Sequence, residues 1–151
     1  MKKLFLFLAI LFLASPFLSA QADKVVGFWL TEEGTSQVQV FKKSDGKYYG
    51  KVTWLDEPNE NGKPKVDTDN PDPKLQSRPI MGLEMLQGLE YDSKDKEWTD
   101  GTIYDPKSGK TYDCFMWFED DSKVLYMKGF VLGMRMLGRS SAWKKENDRS
   151  K

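Results

Sequence analysis

The amino-acid sequence predicts an all-β protein, an antiparallel up-and-down β-barrel of about eight strands, on three observations. Short runs rich in Val, Tyr, Phe, Trp and Thr recur through the chain after residue 22, turn residues separate them, and no long stretch keeps a helical period. The runs follow one another as hairpins, and closing such a meander removes the unpaired edges that invite aggregation.

The first element is not part of the barrel. Lys2 and Lys3 precede an apolar run from Leu4 to Leu13, and small residues follow a break at Pro16. That is the pattern of a Sec-type signal peptide, assigned to residues 1–22, which places the mature chain in the periplasm or outside the cell. Ala20-Gln21-Ala22 offers an A-x-A site, and cleavage after Ala20 is an alternative, because Leu18-Ser19-Ala20 ends acceptably. The apolar run is short of the ~20 residues of a membrane helix, and no second run follows, so the mature chain is expected to lack a transmembrane segment.

Residues 23–151 are expected to form a single domain with strands at 25–30, 36–43, 48–55, 81–91, 97–104, 111–119, 124–131 and 137–144. Asp45-Gly46 between two alternating runs predicts a two-residue type I′ hairpin. Ser108-Gly109 and Asp120-Asp121-Ser122 mark similar corners. From residue 56 to 79 the chain holds five of its seven prolines and few apolar residues, which predicts a long loop, either a functional lid or a disordered excursion. Residues 81–89 also admit a short helix, since Met81, Met85 and Leu89 share a helical face, although Gly82 and Gly88 weaken it. The polar tail from 145 to 151 is expected to fray.

Composition excludes several functions. Without Lys2 and Lys3, 21 basic residues face 23 acidic ones, a net charge of −2 that gives no general attraction to nucleic acid. The chain has no histidine, which removes the usual general base and the commonest zinc ligand. Cys114 is alone, so no disulfide forms within the chain. It shares strand parity with Tyr112, Met116 and Phe118 and is expected in the core. On residues 111–119 both faces carry large apolar groups, so one of them needs a cover: the loop, a tail or a partner.

Gly27-Phe28-Trp29 opens the first barrel strand and Arg139 lies in the last. Closure of the barrel predicts that the Arg139 guanidinium stacks on the Trp29 indole and covers the base; a second reading makes Arg139 a ligand anchor. This pair resembles the calycin signature of lipocalins, fatty-acid-binding proteins and avidin-like barrels. A more specific resemblance covers nearly the whole mature chain. Gly27-x-Trp29, Tyr49-Gly50-Lys51-Val52, Asp69-Asn70-Pro71-Asp72-Pro73, Arg78-Pro79-x-x-Gly82, Gly101-x-Ile103-Tyr104-Asp105-Pro106, Gly109-Lys110-x-Tyr112-x-Cys114, Lys128-Gly129-Phe130 and Gly138-Arg139-x-x-x-Trp143 occur in that order. They resemble the bacterial exported family known as domain of unknown function 2147, which implies a calycin-like barrel and no established activity.

Candidate binding residues gather near the long loop. Asp67, Asp69, Asn70 and Asp72 crowd together, but Pro71 and the missing glycine and distal glutamate make a poor calcium loop, so they read as turn formers and no metal or other cofactor is expected. Tyr104-Asp105-Pro106 reads first as a strand running into a turn. In a second reading Tyr104, Asp105, Tyr112 and Arg78 meet at one barrel mouth, with Asp69 and Asn70 beside them, and orient a small ligand. Arg78 would grip a carboxylate or phosphate there, or pair with a loop aspartate. The leading expectation is a non-enzymatic envelope protein that binds a small apolar or amphipathic molecule at a mouth gated by the loop. A protein-interaction module of the envelope is the alternative. A hydrolase using Asp69, Asp72 and Asp105 ranks lowest, because no acid–base pair is assembled in sequence.

Overall fold

The computed structural model describes residues 19–120 and 122–151. The apolar run assigned to the signal peptide lies outside them. Ten strands follow in chain order: β1 (Gly27–Leu30), β2 (Ser36–Lys42), β3 (Tyr48–Leu55), β4 (Asn59–Glu60), β5 (Lys63–Pro64), β6 (Glu84–Asp92), β7 (Glu97–Asp105), β8 (Lys110–Trp117), β9 (Val124–Phe130) and β10 (Arg139–Glu146). Eight of them close an antiparallel barrel in the order β1-β10-β9-β8-β7-β6-β3-β2, while β4 and β5 form a small hairpin inside the long loop. The seam is the β1–β10 ladder, with Trp29 opposite Lys145. The segment from 81 is a strand rather than a helix, but it starts at Glu84 because Gly82 turns at φ +84°.

Alternation sets which residues face inward. In β9 Leu125 and Met127 are buried while Tyr126 and Lys128 are not, and in β8 Cys114 and Met116 are buried while Asp113 is exposed. Register shifts bend the wall at several places, among them Gly88 at φ +73° in β6 and Asp100 at φ +60° between β7 and β8. Gly101 follows that shift and faces Leu89; a Cβ there would lie 2.5 Å from Leu89 Cγ and 2.8 Å from the Gln87 carbonyl. Its bare backbone is what lets β6 and β7 fill the interior from both sides.

One half of the interior is solid. Trp29, Tyr48, Trp98 and Trp143 are buried in one cluster with Leu86, Leu89, Met116 and Leu125. Phe118 links two indoles, with ring centroids 5.7 Å from Trp29 and 5.4 Å from Trp98. Each sheltered indole removes ~200 Å² from water, a gross gain of about 5 kcal/mol. The short turn Asp23–Val25 and Ala22 seal this end. Trp29 donates its indole N–H to the Val25 carbonyl at 2.9 Å, and the Asp23 carboxylate accepts the Tyr48 hydroxyl at 2.7 Å.

Three expectations need correction. Arg139 does not stack on Trp29: Lys145 does, its Nζ 5.6 Å from the ring centroid. Arg139 stands opposite Gly129, six residues further along β10, about 20 Å away at ~3.3 Å per residue. Both side chains lie on the inward register of β10, but the β1 register selects the lysine. The Asp45-Gly46 corner is a longer turn with a single left-handed residue, Gly46 at φ +82°, closed by Gly46 N–H to the Lys43 carbonyl. The tail is also docked rather than frayed. Buried Gln37 donates to the Asn147 carbonyl at 2.8 Å and accepts the Arg149 N–H at 3.0 Å, while the Arg149 guanidinium lies 4.5 Å from the Trp54 ring centroid.

Candidate functional site

The residues singled out in sequence divide between two places. Adjacent positions on a strand face opposite sides, so Tyr104 on β7 points away from the interior that Ile103 enters. Ile103 pairs with Tyr112, and Tyr104 with Thr111, so the two tyrosines stand on opposite faces of the wall. They do not share a mouth.

Outside the wall, Asp67 is the centre of a closed network. Its carboxylate, fully buried, accepts the Tyr104 hydroxyl at 2.6 Å, the Asn70 amide at 2.8 Å, and Arg78 through both Nε and Nη2 at 2.8 Å. The Arg78 guanidinium also lies 5.2 Å from the Tyr104 ring centroid. Burial pushes the Asp67 pKa up, but the hydrogen bonds from Tyr104, Asn70 and Arg78 outweigh it and hold the group below its ordinary value. Of the two roles weighed for Arg78, it takes the salt bridge to a loop aspartate. Sequence reasoning placed Asp67 in the acidic cluster and missed its role; the signal was an aspartate able to neutralise Arg78 across a proline-rich loop.

This hub fastens the long loop, which is ordered, to the barrel. The Asp67 N–H donates to the Arg78 carbonyl at 3.0 Å and Val66 bridges Pro79, so the loop crosses itself before meeting β7. At Gly109, with φ +66°, the Asp69 carbonyl packs so closely that a Cβ would overlap it at 1.9 Å. Asp105 takes the turn role, accepting the Lys107 N–H at 3.0 Å and the Ser108 hydroxyl at 2.7 Å. Asn70 and Asp72 likewise bond to backbone N–H groups of their own turns. Among the described residues no three acidic or cysteine side chains converge as a metal site would need.

The second place is the barrel end opposite the sealed one. Inward positions there are Ile103, Tyr112, Met127, Gly129, Ser141 and Arg139, tied by the pairs Ile103–Tyr112, Met127–Ser141 and Gly129–Arg139. Ile103 and Met127 are buried, Tyr112 and Ser141 half-buried, and Arg139 exposed. A Cβ on Gly129 would lie 3.5 Å from Tyr112 Cβ, so the glycine leaves room beside that ring. The Ser141 oxygen accepts the Trp143 indole N–H at 3.0 Å, which keeps the serine hydroxyl hydrogen available. The Arg139 side chain makes no hydrogen bond or ion pair among the described residues. Glu33 attracts it through space while held at 2.8 Å by Lys107. An apolar floor with a tyrosine, a serine and a guanidinium above it suits a molecule with an apolar body and a polar or anionic head.

Residues 27–145 match the family described as "Uncharacterized protein conserved in bacteria (DUF2147)". No curated protein matches the chain. Among solved structures, the chain is similar to a Helicobacter pylori protein, HP1028, described as belonging to the lipocalin family. The two share 25% identity with a TM-score of 0.69, over 82% of this chain and 84% of that one.

Proposed function

Because the chain belongs to the bacterial family of domain of unknown function 2147 and has a lipocalin-like barrel, we propose that it is an exported, non-enzymatic binder of a small amphipathic molecule at the barrel mouth. One observation supports this above the others. Arg139 faces inward at the rim, exposed and without an ion pair among the described residues, over the apolar floor of Ile103 and Met127. Since Trp98 and Trp143 fill the deeper interior, the ligand enters the mouth by its tail and leaves its head at the rim. The head is anionic, because a planar guanidinium holds a carboxylate through two bonds. The Asp67 hub ties the long loop to the outer face of β7, on the side of the wall opposite Tyr112. Export rests on the amino-terminal sequence pattern.

The test compares two probes that differ in the head alone, dodecanoate and dodecanol, by quenching of tryptophan fluorescence. Dodecanoate is expected to bind more tightly, and Arg139→Ala to weaken it about tenfold or more while leaving dodecanol unchanged. Equal affinity of the parent protein for the two, or no binding of either, removes this reading.

A further inference from the structure

The turn between β9 and β10 exposes apolar side chains in a way the barrel does not need. Leu132 is 86% exposed, Met136 92% and Leu137 76%, with Val131 and Met134 about half as much. Leu132 also sits at φ +53°, a left-handed conformation that costs a leucine energy and that a glycine or asparagine would adopt more easily. The segment is not loose. Met134 and Leu137 close internal turns on Val131 and Met134. Arg135 fastens the segment to the wall, 2.6 Å from Glu97 and 3.5 Å from the centroid of Phe115. On the outer face Trp117 stacks with Phe115 and Tyr126, and Phe130 tilts against Phe115, so Arg135 supplies part of the cover predicted for β8. The barrel thus holds an apolar tip out into water on a rigid base.

We infer that this tip inserts into the surface of an anionic phospholipid bilayer. Size argues against a protein partner, because a few side chains on a convex turn offer a few hundred Å² of apolar surface, short of the ~800 Å² per partner that a stable protein interface buries. Charge argues for lipid. From residue 122 to 145 the chain carries six cations and no acid, and Lys128, Arg135 and Arg139 flank the tip on its two stems. Glu97, beneath the tip, is taken by Arg135, Glu33, which acts on Arg139 through space, is taken by Lys107, and Asp113 lies opposite Phe130 at the stem. Apolar residues at an apex with cations behind them match the depth profile of a bilayer interface, where acyl chains lie below anionic headgroups. The inference does not depend on what the mouth binds.

The experiment uses the mature chain carrying Met136→Cys, labelled with an environment-sensitive dye; Cys114 is buried and escapes the label. Vesicles of phosphatidylcholine with phosphatidylglycerol are expected to shift the emission to the blue and to co-sediment the protein, and pure phosphatidylcholine to do so much less. Replacing Leu132 by Asn and Leu137 by Ser in the unlabelled chain should lower partitioning about tenfold or more with an unchanged melting temperature. Emission and sedimentation unmoved by either vesicle overturn the inference. So does a dimer in sedimentation equilibrium that the same two substitutions convert to monomer, since the tip is then covered by a second copy.

Discussion

Trp98 donates its indole N–H to the carbonyl of Ala22 at 3.0 Å, joining β7 to a residue 76 positions earlier. Trp29 does the same with Val25. The segment before β1 therefore belongs to the barrel's closed end, where both indoles find their single acceptors.

If the chain is exported as proposed, these two bonds predict where its leader is removed. Cleavage after Ala22 would delete that carbonyl, set the new ammonium of Asp23 in its place and leave a buried N–H unpaired, at a cost of about 1–3 kcal/mol. Cleavage after Ala20 retains the bond. Intact-mass analysis of the exported protein is expected to give Gln21 as the first residue, and a start at Asp23 contradicts it.

The Asp67 hub predicts a pH dependence. A carboxylate whose folded pKa is depressed contributes stability above its unfolded pKa and loses it as pH falls through the folded one. Asp67→Asn should lower stability at neutral pH by about 3 kcal/mol, because Arg78 and Tyr104 lose a buried charged partner. Urea unfolding curves of parent and variant should converge as pH falls below the ordinary aspartate range, where Asp67 takes up its proton. Asp23, also depressed by its bonds to Tyr48 and Lys42, leaves the variant with some acid sensitivity. Parallel curves would show that the hub has no proton-linked role.

These two relationships mark where sequence reasoning ran out. Strand positions were legible because alternation such as Leu125, Met127 and Gly129 against Tyr126 and Lys128 leaves few other choices. The family motifs agreed with the same barrel. Register was not legible. Arg139 and Lys145 share one parity, and the offset of β10 against β1, which no local residue encodes, decides which meets Trp29. Contacts across long separations were hidden for the same reason, so Asp67 looked like one of several turn acids and nothing in the sequence marked Gln37 as the anchor of the tail. Tyr104 was grouped with Tyr112 from proximity along the chain, although the pairing of Ile103 with Tyr112 sends them to opposite faces.

Gly109 tests whether the loop is fixed or mobile. With φ +66° and the Asp69 carbonyl where a Cβ would go, Gly109→Ala must separate the β7–β8 hairpin from the loop. Proteolysis between residues 56 and 79 should accelerate markedly while β-sheet circular dichroism is retained. Gly46→Ala, whose added Cβ meets nothing, serves as the control for backbone strain alone.

Cys114 should be inert in the folded chain. Burial pushes its thiol up to about 12, with the Asp113 charge adding to the effect. Iodoacetamide at pH 8 is expected to modify it only through the transiently opened chain, so that urea accelerates labelling in proportion to the unfolded fraction. Labelling as fast as a free thiol would place Cys114 at the surface.

The closing seam gives the last prediction. If Arg139 has no structural partner, Arg139→Ala should change unfolding free energy by no more than ~0.5 kcal/mol, the range of an ordinary surface substitution. Lys145→Ala removes the cation over Trp29 and the packing of its stem, and should cost about 0.5–1 kcal/mol. Trp29→Ala leaves a large cavity in the sealed half and should cost about 3–5 kcal/mol. Urea unfolding of the three variants ranks them directly. An Arg139 variant less stable than the Lys145 variant would mean that the arginine, rather than the lysine, shelters the seam, and would remove the argument that its guanidinium is free to meet an anionic head at the mouth.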